Sequence, residues 1–204
     1  MKKIYFITLF LFLIVACSNS KYKADKLYKS CLLENCIIDY TESEKSLTKL
    51  NEAIKLNCKE WNYYFQKIII YKYRLVNAKT IDEKNDNLNN IISIYNEWEQ
   101  KNNEINSNMK FGLGCAYFSA NQKKIGTKIL NECYNEISEN KIEILEEKNV
   151  IEGILAGIIT TQITEDKLLY FLKNEKYKIY KDFFLQEIKE HTPDELAMKY
   201  VGGI

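Results

Sequence analysis

The sequence predicts an all-α fold, an array of antiparallel helix pairs. Three observations carry this reading. Helix breakers are scarce, with one Pro and seven Gly in 204 residues, against a background of Lys, Glu, Leu and Ile that favours long helices. Apolar residues recur three and four apart, as in Leu47, Leu50 and Ile54, and in Ile91, Ile94, Tyr95 and Trp98, which sets them on one helix face. No segment shows the two-residue alternation of a half-buried strand. The β-branched run Ile68-Ile69-Ile70 follows Trp61, Tyr64, Phe65 and Ile68, whose spacing is helical.

The elements follow in order. Residues 1–16 read as a secretory signal: Lys2 and Lys3, an apolar run from Ile4, and the small Ala16. The run is shorter than the ~20 residues of a membrane span. Residues 17–23 read as a polar tether and 24–204 as one helical domain. Breaks at Asn35-Cys36, Asn57-Cys58, Lys79-Thr80, Asn102-Asn103, Ala120-Asn121, Asn140 and Asn174 use a residue suited to helix ends. They divide the domain into helices near 22–34 with 42–57, 59–78 with 83–101, 107–120 with 122–139, 142–161 with 165–174, and 177–190 with 193–201. Thr192-Pro193-Asp194-Glu195 has the form of a capping box with Pro at the first helical position. His191, the single histidine, stands just outside that start.

The quartet Ile14-Val15-Ala16-Cys17 resembles the lipobox of bacterial lipoproteins, with Ile in place of the favoured Leu. The resemblance implies cleavage before Cys17, a diacylglycerol on its thiol and fatty acylation (palmitate) of the mature end. It implies a cell-envelope location on a membrane, and Ser18 in the place where Asp would retain the protein at an inner membrane favours the outer membrane of a diderm host. Two or more acyl chains anchor a protein stably where one does not.

The third pair carries Leu113-Gly114, Tyr117, Gly126, Leu130 and Cys133. This resembles the tetratricopeptide repeat, with Lys110 and Ser138 departing from the usual aromatic and proline. The resemblance implies an α-solenoid in which small residues at 114 and 126 let two helices approach, and alanine is expected to be tolerated there. Because first helices line the concave side in that family, Trp61, Tyr64, Lys110 and Tyr117 are the candidate partner-binding residues.

Charge is balanced. Without Lys2 and Lys3 the chain has 27 basic and 28 acidic side chains, which argues against a generic nucleic-acid binder. No Cys-x-x-Cys occurs and one His is present, so neither a common zinc site nor a histidine-based triad is expected. Gly112-Leu113-Gly114 lacks the third glycine and the preceding strand of a dinucleotide loop. Gly153 and Gly157, in an uncharged stretch too short to span a membrane, read as close packing within the array. No catalytic residue, metal or cofactor is assigned. Five cysteines remain beside Cys17, and Cys31 and Cys36 are near enough in sequence to meet. The reading is a non-catalytic protein-binding or scaffold lipoprotein with an envelope protein or peptide as partner. A second reading, an immunity lipoprotein that neutralises a toxin delivered to the envelope, fits the size and single-domain form.

Overall fold

A computed structural model describes residues 19–32, 40–103, 107–140 and 142–203. The lipobox, the signal segment and Cys36 lie outside them. Every regular element among the described residues is a helix: α1 (19–32), α2 (Tyr40–Leu56), α3 (Trp61–Val76), α4 (Ile81–Asn102), α5 (Ser107–Ser119), α6 (Lys123–Glu139), a 3₁₀ turn (Ile142–Ile144), α7 (Glu147–Ile159), α8 (Glu165–Phe171), α9 (Glu175–Lys178), α10 (Lys181–Glu190) and α11 (Pro193–Lys199). None of these helices is long and apolar enough to cross a membrane.

Residues 19–23 belong to α1, where the sequence reading set a tether. Two contacts extend the helix: Lys23 pairs with Glu52 at 2.9 Å and Ala24 is buried. Helix α1 runs antiparallel to α2, since Cys31 at its other end donates its thiol to Ser46 O at 3.6 Å. Cys31 is buried, and Cys58, Cys115 and Cys133 are free thiols.

The pairs α3/α4 and α5/α6 form as the apolar periodicity requires, and α7 packs on α6. Helix α4 opens on a capping box: Glu83 N donates to Thr80 Oγ1 at 3.1 Å, and the Glu83 carboxylate accepts from Thr80 N at 3.3 Å. Asn103, at φ 52°, ends the helix in the left-handed conformation that Asn tolerates.

Glycines set the α5–α6 crossing. A Cβ on Gly126 would collide with Phe118 N, lie 2.7 Å from Phe118 Cα and 2.8 Å from Gly114 O. A Cβ on Gly114 would meet Leu130 Cγ at 2.9 Å and Ile129 Cγ2 at 3.2 Å. The two positions thus differ: backbone blocks Gly126, and side chains crowd Gly114. Gly153 and Gly157 do the same work between α6 and α7. Their Cβ atoms would lie 2.6 Å from Ile137 Cγ2 and 2.7 Å from Tyr134 Cδ2.

Past α7 the regular pairing stops. Helix α8 has its helix neighbour in α10, and α11 turns back onto α5 and α7. The last described residues therefore do not extend the array. They re-enter it.

Candidate functional site

The groove along α3, α4, α5 and α7 is occupied by the chain's own segment 193–203. Local sequence explains how the segment starts. Glu195 N donates to Thr192 Oγ1 at 3.3 Å, Thr192 N donates back to Glu195 Oε2 at 2.7 Å, and Pro193 sits in the first turn. Lys123 of α6 holds Asp194 at 2.8 Å. From there Leu196, Ala197, Tyr200 and Val201 are all buried.

The groove contacts the segment's main chain as well as its side chains. Tyr95 Oη donates to Val201 O at 2.8 Å, and Lys72 Nζ donates to Lys199 O. Gly112 lies directly beneath: a Cβ there would collide with Tyr95 Oη and lie 2.8 Å from Val201 O. The Phe111 and Tyr200 rings are 6.2 Å apart. A Cβ on Gly202 would reach Phe65 at 3.6 Å and Ile69 at 3.7 Å, an ordinary packing distance. Gly203 has φ 80°, the left-handed region that favours glycine, and lies against Asn108.

Charge is buried in the groove too. Glu187, 3 % exposed, accepts from Lys199 at 2.7 Å. Glu152, 1 % exposed, acts together with burial to raise the pKa of Tyr95 and of the Cys115 and Cys133 thiols, burial being the larger cause for each. Burial lowers the pKa of Lys72 and, farther along α3, of Lys67, whose Nζ is 3.7 Å from Glu97. The Tyr200 hydroxyl is held neutral by burial and by the nearby Glu187. Both thiols are therefore neutral and poor nucleophiles. No group of three His, Cys, Asp or Glu suited to a metal occurs among the described residues.

Where α11 enters, the groove widens into a cavity of about 340 Å³ lined by residues including Lys84, Phe118, Ser119, Lys123, Asp194 and Met198. Lys123 sits over the Phe118 ring at 5.3 Å. Ser119 Oγ is buried without a hydrogen-bond partner among the described residues.

The four candidate residues divide between separate places. Trp61 and Tyr64 are stacked at 6.2 Å and meet Trp98 edge-on at 5.2 and 5.1 Å. Tyr64 is fully buried and Trp61 half-buried. Lys110 pairs with Glu132 of α6 at 2.5 Å. Tyr117 is half-buried one turn beyond Gly114. Lys110 and Gly114 face α6, through Glu132 and through Leu130 and Ile129, and the residues that meet the segment are Asn108, Phe111 and Gly112. The groove residues that sequence reading missed are Lys72, Tyr95, Gly112, Glu152 and Glu187. The available signal was Gly112 itself: two glycines two positions apart on a helix face different neighbours.

No protein-family model, no curated protein and no solved structure matches this chain.

Proposed function

We propose that this chain is a membrane-anchored bacterial lipoprotein, lipidated on Cys17, that acts as a non-catalytic protein-binding or scaffold module in the cell envelope. One observation carries the binding part. The groove holds an eleven-residue peptide segment through two side-chain bonds to its carbonyls, at Val201 and Lys199, and through close approach at Gly112. Bonds to the main chain give affinity without demanding one sequence, and pockets for Leu196 and Val201 add selectivity. A tetratricopeptide-like array, which the Leu113-to-Cys133 pattern supports, presents such a concave surface for peptide segments. The Ile14–Cys17 quartet supports the anchor.

The test is binding in trans. A labelled peptide with the sequence Thr192 to Gly203 is titrated into the full chain and into Leu196→Asp, whose added charge expels the chain's own buried segment and leaves the groove residues unchanged. Saturable anisotropy change with the variant, and weaker change with the parent chain, is expected. A Leu196→Asp chain that loses its own segment yet takes up no peptide would refute the groove as a peptide site.

A further inference from the structure

The geometry points to one edge of the helical array as the face that lies on the bilayer. This inference rests on the anchoring proposed above. Successive contacts define the edge. Near the start of α1, Lys23 pairs with Glu52 at the end of α2, and Asp25 accepts from Tyr63 in the first turn of α3 at 2.5 Å. Asn102 at the end of α4 donates to Cys58 O just before α3 at 3.1 Å. Ser107 at the start of α5 donates to Asn149 at the start of α7 at 2.7 Å. Glu147, also in that first turn, is 3.7 Å from Lys176 of α9 and accepts from Tyr180, and Tyr177 donates to Ile142 O at 3.5 Å. The beginning of α1 and the whole of α9 thus share one edge of the array.

Chain length fixes how close that edge sits to a membrane. The apolar run ends at Ala16, the anchor residue is Cys17, and helix is present from residue 19. Two residues reach ~7 Å at full extension, about the thickness of one headgroup layer, ~5–7.5 Å. The start of α1 therefore cannot stand clear of the bilayer, and the edge it belongs to is carried against the surface. That edge exposes Tyr22 (70 %), Ile144 (75 %) and Ile179 (75 %). A tyrosine and two isoleucines suit the boundary between headgroups and acyl chains. The charges beside them are mixed: Lys173, Lys176 and Lys178 against Glu143, Glu146 and Glu175, and, around Tyr22, Lys21 and Lys23 against Glu52. Net attraction to anionic headgroups is therefore weak, and apolar contact is the main term. The opposite edge also exposes apolar side chains, Ile81 (77 %) among them, but the helices between hold it away from the anchor.

The test uses the full chain, metabolically labelled with fatty acid and reconstituted into phosphatidylcholine vesicles that contain acyl-brominated lipid. Tryptophan is placed at one exposed position per variant: Ile144→Trp, Ile179→Trp or Ile81→Trp. The signal of Trp61 and Trp98 in the parent chain is subtracted. At least twofold quenching of the added tryptophan at 144 and 179, and none at 81, is expected. Equal quenching at 179 and 81 would overturn the docked edge while leaving the lipidation reading intact. Absence of label at Cys17 with quenching at 144 and 179 would overturn lipidation and leave the edge standing, on a membrane entered through residues 4–16. A chain that does not sediment with vesicles would overturn both.

Discussion

Gly126→Ala is the sharpest probe of the array. On a helix surface the change gains about 1 kcal/mol of helix propensity. At this position the new Cβ would collide with Phe118 N and lie 2.7 Å from Phe118 Cα. Backbone atoms of α5 cannot rotate aside, so α5 and α6 must separate by several tenths of an ångström or more. Overpacking of this kind costs about 1–3 kcal/mol, and a rigid obstacle belongs at the upper end. The net loss is about 2 kcal/mol, which for a chain of this size lowers Tm by roughly 4–8 °C. Gly114→Ala meets side-chain carbons only, Leu130 Cγ and Cδ2 and Ile129 Cγ2, which can shift by tenths of an ångström where backbone cannot. Its propensity gain then nearly cancels the crowding, and a change within about 1 kcal/mol is expected. The sequence alone treated the two alanine variants alike; the structure separates them. Lys123→Leu serves as a comparison on the same helix, because its ion pair with Asp194 is more than half exposed and such pairs contribute about 0–1 kcal/mol. Urea melts of the three variants decide. A Gly126→Ala midpoint at or above that of the parent chain would refute the backbone contact.

Three further outcomes are expected. Gly112→Ala should free the 193–203 segment, so that limited trypsin cuts after Lys199 faster than in the parent chain while α5 and α6 stay protected; equal cutting rates would contradict the fit beneath Val201. Alkaline pH should destabilise the fold, because burial raises the pKa of Tyr63, Tyr64, Tyr95 and Tyr200 above the ordinary tyrosine value, pushes Cys133 up from 9.0 to about 12 and raises Cys115 well above 9.0. Each of these groups contributes fully below its unfolded pKa and loses that contribution as pH climbs toward the folded one. Lys67 and Lys72, lowered by burial, act in the opposite sense, but they are two against six. Urea midpoints should therefore fall between pH 9 and 12, and a flat or rising profile would count against the buried hydroxyls and thiols. Cys17→Ser should abolish incorporation of a fatty-acid label, and normal labelling of that variant would sink the lipobox reading.

The helices were legible because their signals are local. Spacing of Leu47, Leu50 and Ile54, and of Ile91, Ile94, Tyr95 and Trp98, reports a buried face directly. The capping box at Thr192–Glu195 is a four-residue pattern, and it is formed as read. The same pattern at Thr80-Ile81-Asp82-Glu83 went unread, and the sequence reading started that helix near 83 where α4 begins at Ile81. The groove was not legible. Its contacts join α3, α4 and α5 to residues near 200, and no periodicity within one helix encodes a partner so distant. Tyr95 illustrates the limit: its spacing marks it as core, yet its hydroxyl is committed to Val201 O. Lys110 and Tyr117 were placed by family pattern on a binding face; Lys110 is paired with Glu132 of α6, and Tyr117 is half-buried.

The returning segment also bears on the order in which the molecule assembles. Most of its helix contacts join neighbours in sequence, which close small loops and form early. The two carbonyl bonds in the groove instead span 127 residues, from Lys72 to Lys199, and 106 residues, from Tyr95 to Val201. Closing a loop of ~100 residues rather than ~20 costs about 1–2 kcal/mol more in chain entropy, and it cannot begin until the last helix has been made and threaded out. During that interval Phe65, Ile69, Phe111 and Gly112 face an empty channel. Until then the groove is open to any neighbouring chain, and the moment of its own closure fixes how long that lasts.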